Sequence, residues 1–311
     1  MQVAWPHGFK TEDFRQTSDK TNVTAPAGQI SAREKALRAL GGLPPFSPIL
    51  NRLIASLAQE DISFAKIADL IEKDTVLAGN ILKVVNSALY GLPGTINSIR
   101  HAVSLLGINK LRNATLSMSV ARMWNQVKTP QGWSMASFNL HSAGVAILSD
   151  LIAQRVPVEY PEGAFAAGLF HDLGWLLVAL GLPEEFKQID RLCQMNEKWA
   201  FEYETEVLGT THADLSADAL ASWNLPDRIQ TAVRYHCTPD RDPEAKGPKM
   251  CLSRVVHVAD QYVQGIGTAL SVFEKETATE QDPLEPLGLG ERLPAVLAEF
   301  ENEFSAIKPY F

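Results

Sequence analysis

A chain of 311 residues, 46% hydrophobic and 21% charged, can bury one large core or two ordinary ones, which excludes wholesale disorder. Its net charge of −8 excludes a basic nucleic-acid footprint or a polybasic membrane patch as the main mode of recognition. Cys193, Cys237 and Cys251 are too few and too scattered for a disulfide framework or a CxxC zinc site, and read as free thiols in a reducing cytoplasm.

The opening MQVAWPHGFKTEDFRQ has no basic segment followed by an apolar one, so no signal peptide is expected. Residues 1–30 are polar, carry Pro6 and Pro26, and read as a flexible tail. From Ser31 the period is helical. Apolar residues fall three and four apart in Ile49–Leu57, Phe64–Ile71 and Leu77–Val85, with Ser63 and Thr75 as candidate caps. Gly91, Pro93 and Gly94 break the chain, and helices are predicted over Ile99–Leu106, ending near Gly107, and Leu111–Trp124. Asn86 and Ser87 read as local capping residues before Tyr90 and Gly91. A second half starts near Trp133 with the stripe Val145, Leu148, Leu151 and Ile152, stopped by Pro157 and Pro161. Ala164–Leu180 is apolar on nearly every side and reads as a buried core helix, since His171 and Asp172 at its middle argue against a membrane span. Later helices are predicted at Leu215–Trp223, Ile229–His236 and Leu252–Val263, then a polar stretch Glu274–Leu289 and a short helix near Pro294–Ser305. No strand pair or repeat emerges. The predicted fold is all-α, with two packed helical subdomains at 31–130 and 131–270 and a C-terminal extension at 271–311.

The histidines carry the chemical signal. His141 precedes Val145, Leu148 and Ile152 on one helical face, His236 follows Ile229, Ala232 and Val233, and His212 aligns with Leu215, Ala219 and Trp223. Asp260 shares the face of Val256 and Val263, while His171 and Asp172 interrupt the apolar run. Two inward carboxylates are costly to bury without a cation. Histidinium in a pH-sensitive polar network is one such cation. A divalent metal serves better, because imidazole and carboxylate suit zinc, iron, manganese or nickel. Helical phase says that these residues face inward, not that they converge. Trp175, Trp199 and Trp223 read as packing residues, His257 as solvated, and His101 as structural.

Six segments carry a resemblance. LPPFSPILNRLIASL, KDTVLAGNILKVVNSALYG and INSIRHAVSLLGINKLRN, followed by AFAAGLFHDLGWLL, THADLSADALASWNLP and YHCTP, resemble the HDOD domain of bacterial signalling proteins over about residues 35–265. That domain is similar to the HD phosphohydrolase superfamily. The resemblance implies an all-helical regulatory protein acting through contacts with signalling proteins. The superfamily pattern of His, His-Asp and Asp falls on His141, His171–Asp172 and Asp260, and the further histidines of two-metal HD-GYP phosphodiesterases match His212 and His236. The implied cofactor is one or two divalent transition-metal ions, with iron or manganese favoured over zinc or nickel, and Asp172 bridging them. If active, such a site would hydrolyse a phosphoester of a nucleotide or cyclic dinucleotide, through a metal-activated water. The chain departs from HD-GYP enzymes in two places. Trp175 stands where they carry a lysine, and His236 is followed by Cys237-Thr238-Pro239 in place of the GYP signature. Arg234 and Arg254 are the candidate substrate-binding cations in that lysine's stead.

Overall fold

The computed structural model describes residues 30–56, 64–87, 95–195, 200–268 and 283–311. The tail read at residues 1–29, the Ser63 cap, the Gly91–Gly94 break, Trp199 and most of the polar stretch from Glu274 lie outside the described residues.

The first helices are α1 (Ala32–Arg38), α2 (Pro48–Ser56), α3 (Phe64–Glu72), α4 (Thr75–Val85), α5 (Ile99–Leu106) and α6 (Ile108–Trp124). Thr75 does not cap α4. Asp74 does, with a carboxylate that accepts the Leu77 amide at 3.0 Å, and it also pairs with Arg122 on α6 at 2.8 Å. Ser98 caps α5, and Gly107 ends it at φ 83°, a conformation few L-residues adopt. Asn86 does more than cap locally. Its amide donates to the carbonyls of Leu82 and Ile96 at 2.8 and 2.7 Å, and its oxygen accepts the Ile96 amide at 2.7 Å. The end of α4 is thereby tied to the start of the α5 segment.

The second series is α7 (Met135–Ala153), α8 (Ala164–Phe170), α9 (Leu173–Gly181), α10 (Pro183–Met195), α11 (Ala200–Leu208), α12 (His212–Ser222), α13 (Asp227–Tyr235), α14 (Leu252–Val263) and α15 (Leu293–Ile307). Helices α10 and α11 fall where the sequence reading assigns no element. Among the described residues the one extended pairing is an isolated bridge between Val158 and Met250. The all-α expectation holds.

Helix α7 is the central post. Fourteen of its nineteen residues are buried, too many for a single face, and α6, α8, α14 and α15 pack around it. Each fully buried Leu or Ile there stabilises the fold by about 1.5–3 kcal/mol relative to exposure. The contact with α8 is close because residue 168 is glycine: a Cβ there would lie 2.7 Å from Ala146 Cα. The α7 segment and the Pro161–Gly181 segment are long and apolar enough to cross a membrane, yet their apolar windows are 72% and 94% buried inside the fold, the position of core helices. Trp223 packs against Phe46, Trp124 and Phe170, as expected of a packing residue. Helix α1 lies against α9 and α12, so the start of the first series is built onto the second.

The Ala164–Leu180 run is not one continuous helix. It breaks at His171–Asp172, between α8 and α9, where Asp172 adopts φ −100° and ψ 11°. The break sets the orientation of both side chains.

Candidate metal centre

Asp172 occupies the position before α9 where an aspartate ordinarily caps its own helix, but its side chain makes no cap bond. Its carboxylate instead faces four imidazoles. Oδ2 lies 3.5 Å from His141 Nε2 and 3.3 Å from His171 Nε2, and Oδ1 lies 3.3 Å from His212 Nε2 and 3.7 Å from His236 Nε2. Asp260 Oδ1, from α14, adds to the first pair at 3.1 Å from His141 Nε2 and 3.5 Å from His171 Nε2. The six residues singled out in the sequence therefore converge, from α7, the α8–α9 break, the start of α12, the end of α13, and α14.

Each imidazole is fixed from behind. The Nδ1 atoms of His171 and His236 lie 2.7 Å from the Gly168 and Val233 carbonyls, and His141 Nδ1 lies 3.1 Å from the Thr268 carbonyl. His212 Nδ1 lies 2.7 Å from Glu204 Oε1, and the other Glu204 oxygen accepts the His212 backbone amide. Since all four acceptors are oxygens, Nδ1 carries a proton in every ring and Nε2 is the nitrogen that faces inward. Yet Nε2 of His141 lies 3.3 Å from Nε2 of His171, and Nε2 of His212 lies 3.3 Å from Nε2 of His236. Two imidazole nitrogens hold that distance only with a shared proton or a metal cation between them. The donor set of imidazole nitrogens and carboxylate oxygens is one that divalent transition metals take. Its members fall into groups of three whose ligand atoms lie within 4.8 Å of one another, among them His141, His171 and Asp172. The residues fit a metal.

The electrostatics follow from burial. Desolvation alone would push the His171 imidazole down, but Asp172 and Asp260 lift it to about 9. Burial, with His171 and His212 as cationic neighbours, lowers His236 to about 3. His212 is raised: Glu204 and its other neighbours outweigh its desolvation. Despite burial, the surrounding histidines hold both Asp172 and Asp260 below the ordinary carboxylate range. Burial lifts the Cys237 thiol to about 11.

Gly174 sets the spacing between α9 and α12. A Cβ there would lie 2.0 Å from the His212 carbonyl oxygen, and the Gly174 amide donates to Ser216 Oγ at 2.7 Å. Only a glycine at residue 174 lets the start of α9 approach the His212 backbone this closely. Over the cluster opens a cavity of about 260 Å³ lined by Asp172, Trp175, Phe201, His257, Asp260 and Gln261, among others.

Sequence reasoning missed Glu204 and did not place Trp175, Cys237 or His257 at the cluster. Glu204 is fully buried behind His212; its phase with Phe201 and Leu208 on α11 is the signal that would have found it. Trp175 is a packing residue, as expected, but it stacks on the His212 ring at 5.0 Å and lines the cavity. Cys237 Sγ lies against His212 and His236. His257 is not simply solvated: it sits one turn before Asp260, lines the cavity, and burial lowers its pKa. The two arginines stand elsewhere. Arg234 pairs with Asp214 at 2.6 Å and Asp218 at 2.9 Å, and Arg254 pairs with Asp240; neither lines the cavity. Helical phase fixes a side chain's direction from its own axis, not the partner carboxylates that neighbouring elements bring.

A profile of the HDOD domain matches residues 43–239, well over half of the chain. The chain belongs to the HDOD family. Five of the six converging residues fall inside the match, and Asp260 lies beyond it. The fold is similar to that of an HDOD domain protein of unknown function from Geobacter sulfurreducens, with 25% identity, a TM-score of 0.70, and coverage of 90% of this chain and 98% of that one. It is similar to a structure from Shewanella amazonensis described as a candidate phosphohydrolase, with 21% identity, a TM-score of 0.65, and coverage of 89% and 97%. A signal transduction candidate from Marinobacter aquaeolei shares the fold at 24% identity and a TM-score of 0.63, over 90% of this chain and 60% of that one. An uncharacterized protein of Treponema pallidum is 23% identical over 257 residues, which are 81% of this chain; the chain spans about half the length of that relative, at 47%.

Proposed function

We propose that this HDOD protein is a cytoplasmic signal-transduction component whose HD-type cluster binds divalent transition metal and which acts through contacts with signalling proteins. The observation that carries the metal assignment is the inward pairing of imidazole Nε2 atoms at 3.3 Å, with every Nδ1 already engaged. His141, His171 and Asp260 would hold one ion and His212 and His236 a second, with one oxygen of Asp172 toward each. Iron and manganese suit this nitrogen–oxygen set, as zinc and nickel do. A metal bound there supplies a Lewis acid and lowers the pKa of a coordinated water toward ~7. The chain's own residues do the rest: Glu204 and the three carbonyls orient the imidazoles, and Trp175 shields the His212 ring on one face.

A regulatory role accords with the cavity. Among the described residues no lysine or arginine lines it, so a phosphate there would find no side-chain cation. A second reading, hydrolysis of a nucleotide or cyclic-dinucleotide phosphoester, is favoured by the opening of the cavity directly over Asp172 and Asp260. One experiment separates them. Apo protein is loaded with iron or manganese and followed by thermal melting, then assayed with cyclic dinucleotides and a generic phosphoester. Both readings require a rise in Tm that Asp172→Ala abolishes. The regulatory reading expects no turnover above that of Asp172→Ala. Turnover that disappears in Asp172→Ala establishes the hydrolase instead, and no rise in Tm removes the metal from both.

A further inference from the structure

Cys237 follows His236 at the end of α13. Its Sγ lies 3.2 Å from His236 Nε2 and 3.4 Å from His212 Nε2, and the three donor atoms lie within 4.8 Å of one another. Asp172 Oδ1, at 3.3 Å from His212 Nε2, supplies a fourth donor. Two nitrogens, a sulfur and an oxygen match the four-coordinate complement of a zinc-type site. The His141–His171–Asp260 half of the cluster offers nitrogen and oxygen alone. The other cysteines lie elsewhere: Cys193 is buried on α10 and Cys251 accepts from Ser253 Oγ at 3.3 Å.

Resting on the metal-centre reading above, we propose that Cys237 Sγ is a direct ligand, which makes the His212 half a thiolate site and gives the two halves different metal preferences. The thiol proton passes to solvent as the metal binds, because coordination deprotonates the sulfur outright. The soft thiolate favours zinc, cobalt or ferrous iron at His212, His236, Cys237 and Asp172, while the nitrogen–oxygen half is the one suited to manganese. Zinc should therefore bind the sulfur-bearing half at least about tenfold more tightly than manganese does, and loss of the sulfur should narrow that ratio.

The test is a cobalt(II) titration of the full-length apo chain. Visible d–d absorption reports that cobalt is bound, and a near-ultraviolet thiolate-to-cobalt charge-transfer band reports sulfur ligation. The band is expected in the wild type and in the Cys193→Ser/Cys251→Ser double variant, and it should vanish in Cys237→Ser while d–d absorption persists. The double variant identifies the sulfur even if Cys237→Ser fails to fold. Zinc should displace the band and manganese should not. Bound cobalt without the band, a band lost in the double variant, or a band kept in Cys237→Ser would overturn the assignment and leave the metal centre standing. No cobalt binding at all would instead overturn the metal centre on which it rests.

Discussion

The fully buried carboxylate of Glu204 orients His212: one Glu204 oxygen accepts the His212 Nδ1 proton at 2.7 Å and the other accepts its backbone amide. A neutral amide keeps the shape but loses the charge and one acceptor. Glu204→Gln should therefore fold, yet bind metal about 10–100-fold more weakly, the usual cost of removing an orienting partner behind a metal-ligating histidine. A competition titration with a chromogenic chelator measures this. Unchanged affinity would show that the carbonyl-anchored rings alone set the site.

Gly174 admits no side chain, since its Cβ would lie 2.0 Å from the His212 carbonyl. Gly174→Ala should force α9 and α12 apart and destabilise the fold by about 3 kcal/mol, the upper part of the range for overpacking. Urea denaturation reads the loss. A variant as stable as the wild type would mean that the helices are not held at this spacing.

Asn86 holds Ile96 by both backbone groups, and Ile96 is buried. Asn86→Ala leaves an amide and a carbonyl without that partner and should cost about 2 kcal/mol. Hydrogen exchange at the Ile96 amide should accelerate in step. Slow exchange retained in the variant would assign the protection to another group.

Asp150, on α7, supplies the pH dependence. Burial and the nearby Glu303 raise its pKa from 3.8 to about 6, despite Arg112 and the donors Gln154 and Asn113. The folded state thus binds more protons than the unfolded one between those values. The associated stability is fully present below the unfolded pKa and is lost as pH rises through about 6. Asp150→Asn removes the titration, so its stability relative to the wild type should improve between pH 4 and pH 7, by up to about 3 kcal/mol. Chemical denaturation at the two pH values tests it; a difference that does not change with pH would contradict the shift.

Much of this was legible in the sequence because the relevant signals are local. The Ile99–Leu106 period and the stop near Gly107 match α5 to the residue. The inward phase of His141, His212, His236 and Asp260 was likewise a property of single helices. What phase could not reach were angles and partners set between elements. The break at His171–Asp172 was hidden because the apolar run on either side is equally compatible with one long helix. The ion pairs of Arg234 with Asp214 and Asp218 cross from α13 to α12. Glu204 was overlooked among Glu202 and Glu206, although only Glu204 shares the face of Phe201 and Leu208.

The metal centre itself is tested most directly by elemental analysis of protein purified without a metal-affinity tag, beside His171→Ala and Asp172→Ala variants. The two halves of the cluster call for about two transition-metal ions per chain, a content that falls in both variants and furthest when the shared carboxylate of Asp172 is removed. Protein that carries no metal, even after anaerobic reconstitution with iron and manganese, would contradict the account and leave the four imidazoles as a hydrogen-bonded polar network.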